Sequence, residues 1–134
     1  MMPDFVTDTH GLIWYLEDSP RLGSEAKAAF DACDHGQSIV CVPTICMVEI
    51  VYLQEKGRIP SDMMAKFQDE LKSGRSGLSA VDLTLGIVEA LVKVPRTKVP
   101  DMPDRIIAAT AMHLNFLLIS RDRKIQLSDV ETIW

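Results

Sequence analysis

The sequence has few of the residues that mark secreted, zinc-thiolate or membrane proteins. Its three cysteines, Cys33, Cys41 and Cys46, are an odd number with no C-x-x-C spacing, and no histidine is placed to complete a zinc site with them. Their apolar surroundings predict small core residues in a reducing compartment. The longest apolar run, 45–53, is interrupted by Glu49 and is too short to cross a bilayer, and no basic leader with a long apolar stretch is present. We therefore expect a cytoplasmic protein that does not enter a membrane.

Positive charge is also scarce. The chain has 14 lysines and arginines against 19 aspartates and glutamates, a formal net charge of -5, which argues against a broad basic surface for nucleic acid. A nucleic-acid enzyme is not excluded, because a bound metal ion can supply positive charge locally. With 134 residues, 47% of them hydrophobic and 25% charged, and with no internal repeat or linker, we expect one domain over residues 1–134.

Segments with strand patterns alternate with segments with helix patterns along the chain. This alternation predicts an α/β fold whose parallel sheet is covered on both faces. Ligands of such sheets bind beyond the carboxyl ends of the strands. Strands are expected over 5–7, 38–42, 78–83, 116–120 and near 131–133; helices over 11–17, 24–34, 44–56, 61–72, 84–92 and 103–113; turns over 72–77 and 121–127; and a proline-rich loop over 93–103.

An acid stands where the first strand ends and a helix begins, in the segment VTDTHG. Asp8 would suit a helix N-cap, but Gly11, three residues later, is not the Glu or Gln of a capping box. For this residue alone, a cap and a functional carboxylate at the end of a strand both stay open.

A second acid lies on an apolar face of the third helix. A carboxylate buried there costs several kcal/mol unless a cation or hydrogen bonds compensate. The alternative is a glutamate whose carboxylate reaches solvent or pairs with an arginine. The acid is Glu49, and the four side chains one turn away on its face are Ile45, Cys46, Tyr52 and Leu53.

Further acids lie where ordinary sequences also place them. Asp104 falls in the first turn of the helix that Pro103 begins, where the helix dipole favours an anion, and Asp101 is a cap or a supporting acid. Asp122 follows the strand FLLIS and could be a turn or cap residue. Each of these acids is weak evidence of function by itself.

Four of the acids carry more weight together, because the predicted topology could bring them to one edge of the sheet. Carboxylates that close cannot all ionise unless a cation lies among them. Oxygen ligands without Cys or His suit Mg²⁺ or Mn²⁺, and an acid-lined site for such an ion is suited to phosphodiester hydrolysis. The four are Asp8, Glu49, Asp104 and Asp122.

Four short segments resemble, in order and spacing, the motifs of the PIN domain family and, within it, the VapC-type toxin ribonucleases. They are VTDTHGLIWYL, VPTICMVEI, DMPDRIIAATA and LLISRDRKI. The resemblance implies the three-layer PIN sandwich, with a central, mainly parallel sheet flanked by helices. By position in these motifs, it also implies that Asp8, Glu49, Asp104 and Asp122 bind metal.

The same motifs imply two supporting residues. Ser120 matches a hydroxyl position that is usually Thr, and Asp101 matches an extra acid of the D-P-x-D-R subgroup. Met102 departs from that subgroup, which usually has proline there, and this change should matter little for the chemistry.

The activity implied by the resemblance is that of an endoribonuclease toxin that depends on Mg²⁺ or Mn²⁺. Cleavage would leave a 5′-phosphate and a 3′-hydroxyl, a cognate antitoxin would fill the groove with its C-terminal segment, and the chain would form a homodimer. Cations beside the predicted site could contact RNA phosphates, although solvated charge is the simpler interpretation. They are Arg105, Arg121, Arg123 and Lys124.

A catalytically inactive PIN scaffold that binds RNA or protein is the main alternative, and the presence of all four acids counts against it. A haloacid-dehalogenase-like phosphatase needs a D-x-D motif, whereas His10 occupies the second acidic position. A receiver-like signalling module needs paired acids after the first strand, where Asp8 stands alone. His10 itself could touch RNA or order the metal site, but a histidine at a helix start is more often a simple hydrogen-bonding residue.

Overall fold

A computed structural model describes residues 3–74 and 77–134 and confirms the α/β fold, with a central parallel sheet flanked by helices. The strands are β1 (Phe5–Thr7), β2 (Val40–Pro43), β3 (Leu78–Val81), β4 (Leu117–Ile119) and β5 (Thr132–Ile133). The helices are α1 (Thr9–Leu16), α2 (Ser24–Asp34), α3 (Thr44–Glu55), α4 (Met63–Lys72), α5 (Leu85–Leu91), α6 (Met102–Leu114) and α7 (Arg123–Gln126).

The first strand lies at the centre of the sheet, whose order is β3-β2-β1-β4-β5. In parallel register, Val6 pairs with Cys41 of β2 and with Leu118 of β4. All three residues of β1 are buried, as expected for a short β-branched and aromatic run that is covered on both faces. Because each described strand pair is parallel, the carboxyl ends of all five strands meet at one edge of the sheet.

Apolar side chains from the helices and strands form one core. Each fully buried large side chain contributes about 1.5–3 kcal/mol to the stability of the fold. Tyr15 adds a ring stacked on the Phe30 ring, with centroids 4.3 Å apart, and the three cysteines are buried as predicted. Representative core residues are Phe30 of α2, Ile50 of α3, Phe67 of α4, Ile107 of α6 and Leu118 of β4.

The prediction of a turn over 121–127 was incomplete, because one turn of helix, α7, lies within it. The Asp122 side chain accepts a hydrogen bond from the N–H of Ile125 at 3.0 Å, and the Ile125 side chain is fully buried. A cap and one buried residue are enough to order so short a helix in a packed protein.

Other differences from the sequence expectations are small. Helix α1 begins at Thr9 rather than at residue 11, because Asp8 caps it, and the strand predicted over 78–83 ends at Val81. The predicted turn over 72–77 includes Arg75 and Ser76, which lie outside the described residues. None of the helices in the described part of the chain has the length and apolar character needed to cross a membrane.

Candidate active site

The four predicted acids line a single cavity of about 650 Å³ at the carboxyl edge of the sheet. Three of them belong to segments that follow the three central strands. Asp8 follows β1, Asp122 follows β4, and Glu49 lies in α3, the helix that begins directly after β2. Asp104 comes from the first turn of α6. Four elements that are distant in sequence therefore place carboxylates around one space.

Asp8 is both a helix cap and a lining residue of the cavity. Its Oδ1 accepts a hydrogen bond from the N–H of Gly11 at 2.8 Å, and its carboxylate also takes a hydrogen bond from the Ser120 hydroxyl. Burial nevertheless raises the pKa of the Asp8 carboxyl above its ordinary value, because these hydrogen bonds compensate only partly. The two interpretations that the sequence left open are compatible in the structure.

Glu49 is oriented by a hydroxyl rather than by a cation. The Thr9 Oγ1 donates a hydrogen bond of 2.5 Å to Glu49 Oε1, which joins α1 to α3 directly above the end of β1. Cys46, one turn earlier on the same face, is fully buried, and Leu53, one turn later, lines the cavity. The ion pairs of the described residues do not include Glu49, so pairing with an arginine does not explain this acid.

Asp104 shows most clearly that the acids affect one another. Burial is the largest cause that raises the pKa of its carboxyl, to about 7, and the remaining causes are all negative charges. In decreasing order of effect, these charges are Asp101, Asp122, Glu49 and Asp8. Near neutral pH, the Asp104 carboxyl therefore holds a proton for an appreciable part of the time.

Two further side chains hold the acids in place through hydrogen bonds. Ser120 lies outside the cavity, and Asp101 lies at its rim. The Ser120 side chain is fully buried; its Oγ accepts a hydrogen bond from the N–H of Asp122 at 3.1 Å, while its hydroxyl binds Asp8. Asp101 caps α6 by accepting a hydrogen bond from the N–H of Asp104 at 3.1 Å. Each support thus fixes the position of one or two of the four acids.

The donor set fits a divalent cation, although no ready-made cage is present. Within residues 3–74 and 77–134, no three His, Cys, Asp or Glu side chains already meet as a metal site. The four acids offer only oxygen donors, and their mutual repulsion at Asp104 is what a cation would relieve.

Three arginines stand at the rim of the same cavity: Arg21, Arg58 and Arg121. The Arg121 guanidinium carbon lies 4.4 Å from the centre of the Trp14 ring, and that of Arg21 lies 6.0 Å from it. Each ion pair between described side chains uses a lysine. The guanidinium groups of the three arginines consequently have no carboxylate partner among the described residues.

The other predicted RNA contacts lie elsewhere. The Arg105 guanidinium donates hydrogen bonds to the carbonyl oxygens of Val94, at 2.7 Å, and Leu91, at 3.1 Å, so it anchors the segment after α5 to α6. Arg123 and Lys124 are exposed on α7 and do not line the cavity. Of the predicted cations, Arg121 alone lies at the site.

Sequence reasoning missed Thr9, Arg21 and Arg58. For Thr9 a signal existed, since a hydroxyl at the first helical position follows an acid at the end of a strand. Arg21 and Arg58 lie in loops, and their placement over the cavity depends on how α1, α3 and α4 pack. No local pattern carries that information.

A second cavity, of about 670 Å³, lies at the opposite, amino edge of the sheet and is also lined by acids. There the Asp4 carboxylate accepts a hydrogen bond from the N–H of Ile39 at 2.9 Å. Asp129 pairs with Lys98 at 3.8 Å. Partners from the protein itself thus compensate two of the three acids that line this cavity, the third being Glu131.

The sequence profile of the family described as PIN domain matches residues 5–131. The chain belongs to the PIN domain family. Ribonuclease VapC22 of Mycobacterium tuberculosis is 25% identical to it over 125 residues, which cover 93% of this chain and 92% of that protein.

Solved structures of toxin–antitoxin proteins share the fold. VapBC2 from Rickettsia felis, bound to a DNA fragment from its promoter, has a TM-score of 0.71 at 13% identity and covers 97% of both chains. DNA-bound VapBC from Salmonella typhimurium has a TM-score of 0.69 at 16% identity and covers 98% of both chains. A toxin–antitoxin complex from Klebsiella pneumoniae has a TM-score of 0.62 at 23% identity, covering 96% of this chain and 95% of that one.

Proposed function

We propose that this protein is an endoribonuclease toxin of the cytoplasm that hydrolyses RNA phosphodiester bonds with the aid of Mg²⁺ or Mn²⁺. The similarity to Ribonuclease VapC22 supports the activity. The shared fold with toxin–antitoxin complexes supports a cognate antitoxin that neutralises the enzyme. All four metal-binding acids that the family motifs imply are present.

The observation that carries the proposal is the uncompensated negative charge at the carboxyl edge of the sheet. Four carboxylates from four elements line one cavity, and their charges, together with burial, hold the pKa of Asp104 at about 7. Helix capping alone does not require these residues to line the same cavity. The arginines of the cavity form no ion pair with these acids, so a bound cation or a proton would relieve the repulsion.

The residues that would hold the ion are Asp8, Glu49, Asp104 and Asp122, with Asp101 and Ser120 supporting them. When bound, the ion supplies positive charge at the phosphate and makes water a stronger nucleophile at neutral pH. Asp104 would hold the ion as a carboxylate, so its carboxyl would have to give up the proton that it keeps near neutral pH.

Glu49 is the acid best placed to accept a proton from water. The Thr9 hydroxyl fixes its Oε1 and leaves Oε2 for a second interaction. Since the α3 backbone holds Glu49 while α1 holds Thr9, the carboxylate is oriented by two helices at once. In this proposal, Asp8 and Asp122 keep their positions because the Ser120 hydroxyl group joins them.

The homodimer stays a prediction, which the surface of α5 supports. Leu85, Val88 and Val92 are 74%, 46% and 81% exposed, and exposed apolar side chains on one helix favour an interface. Light scattering on the purified chain measures its mass in solution. A monomeric mass at all concentrations would contradict the dimer and leave the nuclease proposal intact.

The proposed activity is tested on purified, antitoxin-free protein with a structured RNA pool, in Mg²⁺ or Mn²⁺ and in EDTA. We expect cleavage that needs the metal and that disappears in Asp104→Asn. Asp82→Asn is the matched control, because Asp82 also follows a strand, β3, but is exposed and lies outside the cavity lining. It should cleave like the unmodified protein.

The inactive scaffold predicts a different result. Folded protein that cuts none of several RNA pools with either metal, and whose RNA binding is the same with and without Asp104→Asn, would favour a scaffold. Cleavage that persists in Asp104→Asn would contradict the assignment of the acids.

A further inference from the structure

We propose that Arg21, Arg58 and Arg121 form a phosphate clamp, which binds the RNA phosphates on both sides of the one that is cut. Trp14 is a positioning residue of this clamp. The inference rests on the proposed nuclease function, which it extends to the way in which the substrate is held. It assigns roles to four residues that the four acids do not need for their own arrangement.

The guanidinium of Arg121 lies over the ring of Trp14. Trp14 is 6% exposed, and its ring is packed against the rings of Trp134, with centroids 5.6 Å apart, and His10, at 5.4 Å. A guanidinium 4.4 Å from this ring is held by a cation–π interaction. The Arg121 side chain also lines the cavity and has no carboxylate partner among the described residues, so its N–H groups are available to donate to phosphate oxygens.

The positions of the arginines are the second argument. Arg121 lies two residues after the end of β4. The guanidinium carbon of Arg21 lies 6.0 Å from the centre of the same tryptophan ring. Arg58 follows α3, the helix that β2 enters, and β2 and β4 lie on opposite sides of β1. All three arginines line the same cavity as Asp8, so an RNA strand that enters the cavity meets guanidinium groups that come from three separate segments of the chain.

Charge is the third argument. The cavity is lined by carboxylates and the whole chain carries a net charge of -5, so RNA would be repelled without local cations. The three arginines are placed at this rim and lack carboxylate partners among the described residues. Solvated surface charge, the simpler interpretation, does not account for a guanidinium held 4.4 Å from the centre of a buried indole ring.

A clamp of this kind contacts phosphates and not bases. It therefore adds affinity that depends on salt and not on RNA sequence. It also needs phosphates on both sides of the cut, so dinucleotides should be poor substrates. Any preference for sequence has to come from other parts of the surface or from the RNA fold.

Binding is measured by fluorescence anisotropy of a labelled, unpaired oligouridylate in EDTA, over a series of salt concentrations. We expect Arg21→Gln, Arg58→Gln and Arg121→Gln each to weaken binding about three- to tenfold and to lower the slope of log Kd against log salt by about 0.7, the value for one phosphate contact on a single strand. Arg123→Gln is the matched control, since Arg123 is exposed two residues from Arg121 but outside the cavity.

The outcomes separate the clamp from the nuclease proposal. An unchanged slope in the three variants, or an equal effect of Arg123→Gln, overturns the clamp. Cleavage of the same RNA in Mg²⁺ is scored separately, and the arginine variants should raise KM more than they lower kcat. Unmodified protein that binds RNA through the arginines but cuts none retains the clamp and contradicts the proposed nuclease. If the three arginine variants bind RNA normally but no longer bind the antitoxin, the arginines contact the protein partner, and the clamp is overturned.

The positioning role of Trp14 is tested with Trp14→Phe and Trp14→Leu. Phenylalanine keeps an aromatic face for the guanidinium, whereas leucine keeps only apolar volume. We expect Trp14→Phe to retain most of the salt slope and Trp14→Leu to lower it as Arg121→Gln does. A purely structural role would lower the thermal stability of both variants and leave the slope of the folded protein unchanged.

Discussion

The two ends of the sheet carry cavities of similar size, about 650 and about 670 Å³, and both are lined by acids. At the amino end, Asp4 accepts a backbone hydrogen bond and Asp129 pairs with a lysine. At the carboxyl end, the acids face one another and raise the pKa of Asp104 to about 7. Volume therefore does not distinguish a functional cavity. Six acids line the cavity at the carboxyl end and three line the other, and negative charge that the fold leaves uncompensated distinguishes the former.

The largest difference between the two ends should appear when one acid at each is neutralised. Asp8→Asn removes an acid that the motifs assign to the metal, and we expect kcat/KM for RNA cleavage to fall about a hundredfold or more. Asp4→Asn should leave cleavage unchanged and cost about 1 kcal/mol or less, since it weakens one hydrogen bond to Ile39. Cleavage rates and urea unfolding measure both effects, and equal losses of activity would remove the distinction.

Two glycines, one near each end of the sheet, allow the same comparison, because an added Cβ would collide with neighbouring atoms at both. A Cβ on Gly11 would lie 2.7 Å from Thr7 Oγ1 and 3.0 Å from Asp8 Oδ1, so Asp8 would have to move. We expect Gly11→Ala to cost about 1–3 kcal/mol and at least tenfold in activity. A Cβ on Gly77 would lie 2.5 Å from the carbonyl oxygen of Ser38, near the amino end of β2. Gly77→Ala should lose similar stability without loss of activity per folded molecule.

The uncompensated charge also predicts how stability depends on pH without metal. The pKa of Asp104 is about 7 in the folded protein against an ordinary value of 3.8, so the folded state keeps a proton that the unfolded chain releases. The free energy of unfolding should therefore fall as pH rises from about 4 to about 7 and stay level above that. We expect the fall to be roughly 1–2 kcal/mol, because water partly screens this group.

Urea midpoints in EDTA at about pH 5 and about pH 8 measure this fall. Asp104→Asn should reduce it to the part that the raised pKa of Asp8 contributes, Asp82→Asn should retain it in full, and saturating Mg²⁺ should stabilise the protein most at the higher pH. An identical pH slope in Asp104→Asn would show that another group titrates.

The smallest expected difference concerns two hydroxyl groups. Thr9→Val removes the hydrogen bond to Glu49 Oε1 while it keeps the shape of the side chain, and we expect a three- to tenfold lower kcat, equivalent to about 1 kcal/mol. Ser38→Ala removes the hydrogen bond to the carbonyl oxygen of Pro3 at the amino end and should change stability by a similar amount but not kcat. Single-turnover cleavage separates the two, and a normal kcat in Thr9→Val would mean that α3 alone orients Glu49.

The fold could be predicted because its signals are local. Short β-branched runs, proline and glycine breaks and helix starts alternate regularly, and the structure confirms the parallel sheet that they indicated. The placement of Asp8 at the cavity was also predictable, since an acid at the end of a central parallel strand has to lie at the carboxyl edge. Its catalytic role stays a prediction.

The contacts of the arginines could not be predicted, because they depend on tertiary packing. Arg58 reaches the cavity only when α3 packs beside α1, and the guanidinium of Arg121 lies over the Trp14 ring although the two residues are 107 positions apart in the sequence. Arg105 shows that a neighbouring position in sequence is a poor guide to what a guanidinium contacts. Its position beside Asp104 suggested an RNA contact, whereas its guanidinium binds two carbonyl oxygens of the neighbouring segment.

The packing of Trp14 against Trp134 has a practical consequence. The chain contains two tryptophans, and their rings lie 5.6 Å apart beside the cavity. The intrinsic fluorescence of the protein is therefore emitted almost entirely from one corner of the molecule, next to the guanidinium of Arg121. Mg²⁺, RNA or an antitoxin segment that enters the cavity should change this emission, so the protein carries an optical reporter of its own occupancy.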